Sequence, residues 1–269
     1  MDMSRLGAIP SPIDIRDYKL SVVSGAVKLP ESFDVGIVKI KDQGNKQTCV
    51  AYSLSEIIEY HHKKETNKYQ QFSTEFIYGL RKEDGYKGEG MYLRDGLETI
   101  REYGDVTISQ LSGNNDVKEA MKRVSNNIDK LKELAYPNRI TSYYRIETIQ
   151  DLKYALYHHG PVSASMWWYD GCDLDRKYTY VYDKNRGRGG HAVMIAGWNK
   201  NRILVQNSWG LLWGKSGRFY VKVDDFFDLF FDVFGITDDI SAVKKPNIVV
   251  NKISKVVNKV ANAVLYKNH

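Results

Sequence analysis

Cys49 is the residue whose type and position most clearly indicate chemistry. It stands in the stretch "DQGNKQTCVAYSLSEIIEY", at the first turn of a predicted helix and directly after a polar loop that contains glycine. The thiolate, rather than the thiol, is the nucleophile, and the free N–H groups and the dipole at a helix N-terminus favour the anion. An unselected cysteine is more often a small buried side chain. The position therefore makes Cys49 a candidate nucleophile, which still needs a base.

His191 is the histidine placed best to act as that base, because Gly189 and Gly190 deliver it to the start of an apolar strand in "RGRGGHAVMIAGW". The other histidines lie at helix ends or at the C-terminus and are expected to be structural or solvated. Asn207 follows at the end of the partner strand of a predicted hairpin. Its amide can accept a hydrogen bond from one imidazole nitrogen and leave the other facing a thiol. Trp209 could shield that bond from water.

The elements that must position these residues change type along the chain. Helical periodicity predicts helices from Thr48 to about Lys64, in "STEFIYGLRKE", in "YLRDGLETIREYG" and over about 116–135, and a short strand is predicted in "IVKIKD". After the helix "ETIQDLKYALYHH", strands are predicted in "PVSASMWWY", "HAVMIAGW", "RILVQNSW" and "GRFYVKV". Helices followed by an antiparallel sheet predict an α+β protein with two lobes.

Three blocks carry the candidate residues: "QGNKQTCVAYS", "GGHAVMIAGW" and "QNSWGLLWGKSGRFY". His191 and Asn207 follow Cys49 by 191 − 49 = 142 and 207 − 49 = 158 residues. In these blocks the sequence resembles the papain and cathepsin family of cysteine proteases, in which that spacing is roughly 130–150 residues. The resemblance runs from about residue 29 to about residue 235. It implies a papain-like two-lobed fold, with a helical lobe, an antiparallel β-barrel-like lobe and the active-site cleft between them.

The resemblance also implies a role for each candidate residue. Cys49 would be the nucleophile, His191 the general base and then acid, and Asn207 the residue that orients the imidazole. Gln43 would donate its side-chain amide to the oxyanion, together with the backbone N–H of Cys49. Peptide bonds would be hydrolysed through a thioester acyl-enzyme. The substrate-binding residues implied by the resemblance are Trp209, Gly90, Met91 and Gly190.

The sequence departs from the family pattern in ways that leave alternatives open. The usual Cys-Gly-Ser-Cys-Trp motif reads "KQTCV" here, so the disulfide of its first cysteine cannot form, and the glycine pair that binds substrate is not clean in "KGEGMY". One alternative is a catalytically silent papain-fold scaffold that binds peptides. Another is a papain-like exopeptidase or acyl transferase. The intact Cys49, His191, Asn207 and Gln43 argue against the scaffold, and an epoxide directed at cysteine proteases would react with an active site and not with a scaffold. The exopeptidase or acyl transferase shares the same core, so these residues do not exclude it.

Composition limits the cofactors, partners and location to expect. No cysteine–histidine cluster has metal-ligand spacing, so neither a metal nor another cofactor is expected. Residues 244–269 hold six lysines and no acid, which accounts for the whole net charge of +6. The neutral body therefore predicts no nucleic-acid partner, only peptide or protein substrates. Two cysteines and no apolar leader predict a cytoplasmic protein, in a host cell or virion if viral, like the short-armed intracellular members of the family in microbes and large DNA viruses.

Three regions are expected along the chain: an N-terminal arm at residues 1–28, a peptidase domain at 29–235 and a basic amphipathic tail at 236–269. The arm is too short for a long inhibitory pro-region. It could block the cleft as a short propeptide or pack behind the domain as a strap. The tail has helical apolar spacing with lysines opposite, which suits weak contact with an anionic membrane or an acidic partner.

Overall fold

A computed structural model of the chain describes residues 3–15, 17–20, 28–81, 88–113 and 117–237. The predicted tail lies outside these residues, except for the first two, so its contact with a membrane or an acidic partner stays a prediction. Within the described residues no helix is long and apolar enough to cross a membrane.

The helices gather mainly in the first half of the chain, as the sequence predicts. Their bounds are α1 Cys49–Thr66, α2 Thr74–Gly79, α3 Leu93–Glu102, α4 Val117–Asn126, α5 Ile128–Ala135, α6 Ile149–His158 and α7 Phe226–Leu229. Helix α1 is buried over most of its length and packs on α2, α3 and the sheet. Asn67 ends it in the left-handed conformation, at φ 56°, with its N–H bonded to the carbonyl of Lys63. This central helix fixes Cys49 between the helices and the sheet.

The strands form one main sheet and two short ladders. Their bounds are β1 Ala8–Ile9, β2 Ser32–Asp34, β3 Met91–Tyr92, β4 Ser142–Arg145, β5 Val162–Tyr169, β6 Asp173–Leu174, β7 Tyr180–Val181, β8 Arg188–Asn199, β9 Arg202–Gln206, β10 Arg218–Lys222 and β11 Phe230–Thr237. The main sheet has the order β10-β9-β8-β5-β11-β4, with β2 also on β8, and its pairs are antiparallel. The prediction of an α+β protein with an antiparallel sheet is confirmed, but the described strands leave the sheet open rather than closed into a barrel.

Two strand predictions differ from the structure. The segment "IVKIKD" forms no strand, and only an isolated bridge joins its Asp42 to Trp209. Conversely, β11 was not predicted although it lies inside the sheet, between β5 and β4. Nearly all of its residues are buried, and a strand covered on both faces lacks the alternation that marks a half-exposed strand. β11 reaches Thr237, so this strand includes the first two residues of the expected tail.

Candidate active site

The first turn of α1 places Cys49 deep in the molecule. Thr48, which precedes the helix, makes no side-chain capping bond, so the first N–H groups of α1 remain available to the thiol. Burial raises the pKa of the Cys49 thiol, and backbone groups of Ala192 and Gly7 beside it lower the pKa in part. The cysteine therefore contacts both the strand that carries His191 and a residue of the N-terminal arm.

His191 and Asn207 form the hydrogen bond that their positions predict. The imidazole Nε2 lies 2.7 Å from Asn207 Oδ1, and that oxygen also accepts the Ser208 N–H at 2.8 Å. The amide oxygen thus has two donors and is held in place. His191 Nδ1 is buried without a hydrogen-bond partner among the described residues. One ring nitrogen is therefore oriented by the amide, and the other is left free for the thiol.

Two tryptophans enclose this pair. The Trp209 ring lies over the imidazole of His191, with centroids 4.6 Å apart and an angle of 31° between the planes. Trp168, from β5, meets the same imidazole edge to face at 5.5 Å. The apolar rings exclude water from the His191–Asn207 hydrogen bond, which strengthens it. The sequence predicts Trp209 at this position but does not single out Trp168.

Gln43 is anchored through its own carbonyl and amide. Its Oε1 accepts a hydrogen bond from Ser208 Oγ at 2.6 Å. Its Nε2 donates to the carbonyl of Lys46 at 2.6 Å and to the carbonyl of Arg5 at 2.9 Å. Ser208, next to Asn207, thereby fixes both the histidine's partner and Gln43. The Gln43 amide, which is expected to donate to an oxyanion, already donates to the Arg5 carbonyl of the arm.

The arm continues along the residues expected to bind substrate. The Met91 N–H donates to the Gly7 carbonyl at 2.9 Å, and β1 pairs in parallel with β3. A Cβ atom added to Gly90 would collide with that same carbonyl, and one added to Gly190 would collide with the Ala8 carbonyl. The guanidinium of Arg5 lies 5.8 Å from the centre of the Trp209 ring. All four predicted substrate-binding residues therefore contact the arm.

Both reactive side chains are neutral at pH 7 under this cover. Burial lowers the pKa of His191 to about 4, the bond to Asn207 raises it in part, and the nearby charge of Arg5 lowers it further. Burial raises the pKa of Cys49 in the same place. A thiol and a neutral imidazole are much less reactive than a thiolate. With the arm in place, the thiol of Cys49 and the imidazole of His191 are therefore both uncharged.

The structure brings together all eight residues that the sequence singled out. The sequence predicts an arm that could block the cleft but not that residues 5–9 lie on these residues, and it does not single out Ser208 as the shared anchor or Trp168 as the second ring on His191. The adjacency of Ser208 to Asn207 was the available signal, whereas the arm carries no motif. Cys172 is half-buried and lies outside this cluster.

The comparison with protein families agrees with this geometry. Residues 29–242 match the family described as "Papain family cysteine protease". The chain belongs to the papain family. Its papain-family fold is also seen in solved structures, including xylellain from Xylella fastidiosa, at 24% identity and a TM-score of 0.78, which covers 88% of this chain and 97% of the other. The proCathepsin B S9 of Trypanosoma congolense has 19% identity and a TM-score of 0.70, and covers 88% and 87%. The predicted cysteine peptidase is confirmed at this level.

Curated relatives of this papain-family chain share shorter regions. A cathepsin B-like cysteine proteinase 3 from Caenorhabditis elegans is 34% identical over 88 residues, which is 30% of this chain and 24% of the relative. A viral cathepsin from Heliothis zea nuclear polyhedrosis virus is 27% identical over 222 residues, 75% of this chain and 55% of the relative. The chain thus spans about a quarter to about half of the curated relatives it matches.

The predicted cytoplasmic location is wrong. The relatives are cathepsin-like proteases, among them a gut-specific cysteine proteinase of Caenorhabditis elegans and a viral cathepsin. The structural neighbours include proforms, such as a digestive procathepsin L 3 from the larval midgut of Tenebrio molitor. The prediction used the absence of an apolar leader and of a disulfide framework, and neither absence identifies a compartment.

A buried acid lies two turns beyond Cys49 on α1. Burial raises the pKa of Glu56 to about 8, while the charge of Lys41 and the Gln206 side chain lower it in part. Its Oε1 has no hydrogen-bond partner within the described part of the chain. Gln206, the residue before Asn207, is also buried, and its side-chain atoms have no hydrogen-bond partner among the described residues. At pH 7 this carboxyl group is protonated.

The contribution of Glu56 to folding stability should therefore fall as the pH rises from about 4.5 to about 8. The folded-state pKa of Glu56 lies above the ordinary value of 4.5, so the stabilisation is complete below pH 4.5 and is lost as the pH rises through about 8. Glu56→Gln, which mimics the protonated acid, should remove up to about 4 kcal/mol of this pH dependence between pH 5 and pH 8.5. Urea unfolding of Cys49→Ala chains with and without the change measures it. The exposed Glu133→Gln on α5 is the control, and identical pH slopes for all chains would contradict the assignment.

Proposed function

We propose that the chain is a thiol endopeptidase in which Cys49 attacks the peptide carbonyl and His191 transfers the proton. Asn207 orients the imidazole, and Gln43 with the backbone N–H of Cys49 donates to the oxyanion. His191 first takes the thiol proton and then gives it to the leaving amine, and water hydrolyses the thioester. The substrates are peptides or proteins, as for the family.

The observation that carries this proposal is the position of a peptide carbonyl on Gln43. The Arg5 carbonyl accepts the Gln43 amide at 2.9 Å, and the Gly7 backbone lies against the thiol. A polypeptide backbone therefore fits the site, with a carbonyl at the donor that an oxyanion needs. Because a silent scaffold has no need of an oriented imidazole and an oxyanion donor, the arrangement favours the endopeptidase over that alternative.

We further infer that the arm keeps the enzyme latent and that it acts both as a plug and as a strap. Residues 5–9 lie on the catalytic residues, whereas residues 17–20 lie on the body. There the Leu20 N–H donates to the Arg145 carbonyl at 3.2 Å, and the Arg145 N–H donates to the Tyr18 carbonyl at 2.7 Å. A tethered segment has a high effective concentration at its site, so modest contacts suffice to block substrate.

The microbial or viral type expected from the sequence is kept as a further part of this proposal. Support comes from the likeness to xylellain of Xylella fastidiosa and to the viral cathepsin. These likenesses extend over most of this chain, whereas the nematode relatives match about a third of it.

Gly7→Ala should activate the enzyme. A Cβ atom at this position would overlap the backbone carbonyl of Gln47, so the arm must shift away from the thiol. We expect hydrolysis of a short internally quenched peptide to rise several-fold, since each 1.4 kcal/mol lost from the closed state shifts its population about tenfold. The measurement is the rate at matched concentrations of folded protein.

Gly187→Ala is the matched control, because a Cβ atom there meets nothing within 4 Å. It should leave the rate unchanged. If hydrogen exchange shows that the arm of the Gly7→Ala chain has moved, but its rate of hydrolysis equals that of the unsubstituted chain, the result would contradict the peptidase and favour the silent scaffold. An arm that stays in place, with an unchanged rate, would contradict the latency.

A further inference from the structure

A cluster of four charged side chains lies beside the cleft and is used by none of the catalytic steps. Asp17, from the arm, accepts from Arg94 Nε at 3.1 Å and from Arg145 Nε at 3.1 Å. Arg145 also pairs with Asp232 at 3.0 Å. The side chains of Asp17 and Asp232 are 7% and 1% exposed, so these pairs are buried enough to matter. An exposed ion pair would carry little free energy.

Arg94 is directed entirely at the arm. Its guanidinium bonds both carboxylate oxygens of Asp17 and the carbonyl of Pro12, and its backbone N–H donates to Ser11 Oγ at 3.4 Å. The described part of the chain offers this guanidinium no other hydrogen-bond partner. With the arm in place the Arg94 side chain is 12% exposed, and departure of the arm would remove the ligand of its guanidinium. A planar guanidinium pair held in this way is suited to a carboxylate.

The body supplies the rest of the site. The Arg145 and Arg94 guanidinium groups lie 4.5 Å and 5.9 Å from the ring centre of Phe234, on β11. Asp232 is held in turn by the Ser11 N–H at 2.9 Å. With Asp17 in place the cluster has two positive and two negative groups, and without it one positive charge is uncompensated. Within this cluster an anion from another polypeptide can therefore take the place of Asp17, although the body also places Glu98 and Glu102 along the groove.

The surroundings give this site access from solvent. A groove of about 1020 Å³ runs alongside the cluster, lined by arm residues including Ile13 and Asp14 and by body residues of α3 and β4 such as Glu98 and Tyr143. The Ile13 and Ile15 side chains are 96% and 85% exposed. Ile13 and Ile15 thus project into solvent between the body contacts of Ser11 and Pro12 and those of Asp17, and a competing polypeptide can approach the arginines along the groove.

We propose that Arg94 and Arg145 form a binding site for an acidic side chain of a polypeptide in the cleft, and that Asp17 fills it in cis and so latches the arm. The inference deepens the proposed latency, because it names the contact that holds the plug. A polypeptide that brings its own aspartate or glutamate to the arginines displaces the latch. The site thereby favours substrates or activators with an acidic residue near the segment that enters the cleft.

Hydrogen exchange of the full chain tests the latch without relying on catalysis. In a Cys49→Ala background, Asp17→Asn should raise the exchange rate of the amides of residues 5–9 and of Met91 by about tenfold or more, because one buried cation loses its partner. Arg94→Gln should do the same. The control is Glu147→Gln, which breaks the exposed pair between Glu147 and the arm's Lys19. It should change these rates by less than about threefold.

A synthetic peptide of residues 3–20 tests the ligand class. Added to the Asp17→Asn chain, it should restore protection of the Met91 amide at a concentration about tenfold lower than the same peptide with asparagine at position 17. Equal potency of the two peptides would overturn the acidic-side-chain site. Unchanged exchange in both the Asp17→Asn and the Arg94→Gln chains would overturn the latch, and so would a uniform loss of protection that includes β8 and β9. If the latch opens but no peptide is hydrolysed with Cys49 present, the latch stands and the peptidase proposal fails.

Discussion

A chain that begins at Pro10 is expected to hydrolyse a short peptide about 10²-fold faster than the full chain, because a tethered plug acts at a high effective concentration. The deletion removes the Arg5 carbonyl from Gln43 and the Gly7 backbone from the thiol. It also ends the desolvation that holds Cys49 and His191 neutral. The measurement is the rate on an internally quenched peptide at matched concentrations of folded protein.

A second deletion separates the plug from the strap. The chain from Pro10 keeps the contacts of residues 17–20 with Arg145, so its melting temperature should change little. A chain from Leu29 loses those contacts and the buried Leu20, so it should melt several degrees lower while showing the same gain in rate. A chain from Pro10 that is no faster than the full chain would contradict the plug.

The Cys49→Ala change, made in the chain from Pro10, is expected to lower kcat/KM on the order of 10⁴-fold or more, because no other group can form the thioester. The fold should persist, since a small buried side chain becomes slightly smaller. His191→Ala should be nearly as severe. Asn207→Ala should be milder, because the amide orients the base and makes no bond to substrate. The readout is kcat/KM, with melting temperatures to exclude unfolding.

The loss of activity in Gln43→Ala should lie between the losses in Asn207→Ala and Cys49→Ala. Loss of one oxyanion donor costs on the order of 10²-fold in kcat, and Gln43 also accepts the Ser208 hydroxyl, so some loss through Asn207 is added. Cys172→Ala is the control, because this thiol lies outside the cluster, and it should keep full activity. Wild-type rates in the Cys49→Ala chain would refute the mechanism.

The candidate catalytic residues could be predicted from the sequence because their chemistry resides in side chains at fixed positions of short motifs. Cys49 begins a helix, His191 lies on β8 and Asn207 directly follows β9, so each motif fixes one local geometry. The arm could not be placed in the same way. It binds through main-chain groups, such as the Gly7 carbonyl on the Met91 N–H, and every residue offers those groups. Gly90 and Gly190 allow another backbone segment to approach closely, but they do not identify that segment.

Burial on all sides explains the other misses. Glu56 looks like a polar position of an amphipathic helix, but α1 is covered by the sheet and by neighbouring helices, so the carboxyl group is enclosed. The segment of β11, "FFDVFGIT", shows no apolar and polar alternation for the same reason. Its position between β5 and β4 depends on partners more than 60 residues away in the sequence. Local periodicity carries no information about which elements will be buried by segments distant in the sequence.

The rate at which an epoxide directed at cysteine proteases labels each thiol, followed by peptide mapping, tests most directly whether Cys49 is the nucleophile and is covered by the arm. We expect the chain from Pro10 to be labelled at Cys49 much faster than the full chain, and His191→Ala to abolish this labelling. Iodoacetamide labelling of Cys172 should be equal in the two chains. Equal epoxide labelling of Cys49 in both chains would contradict the covered site, and labelling only at Cys172 would contradict the nucleophile itself.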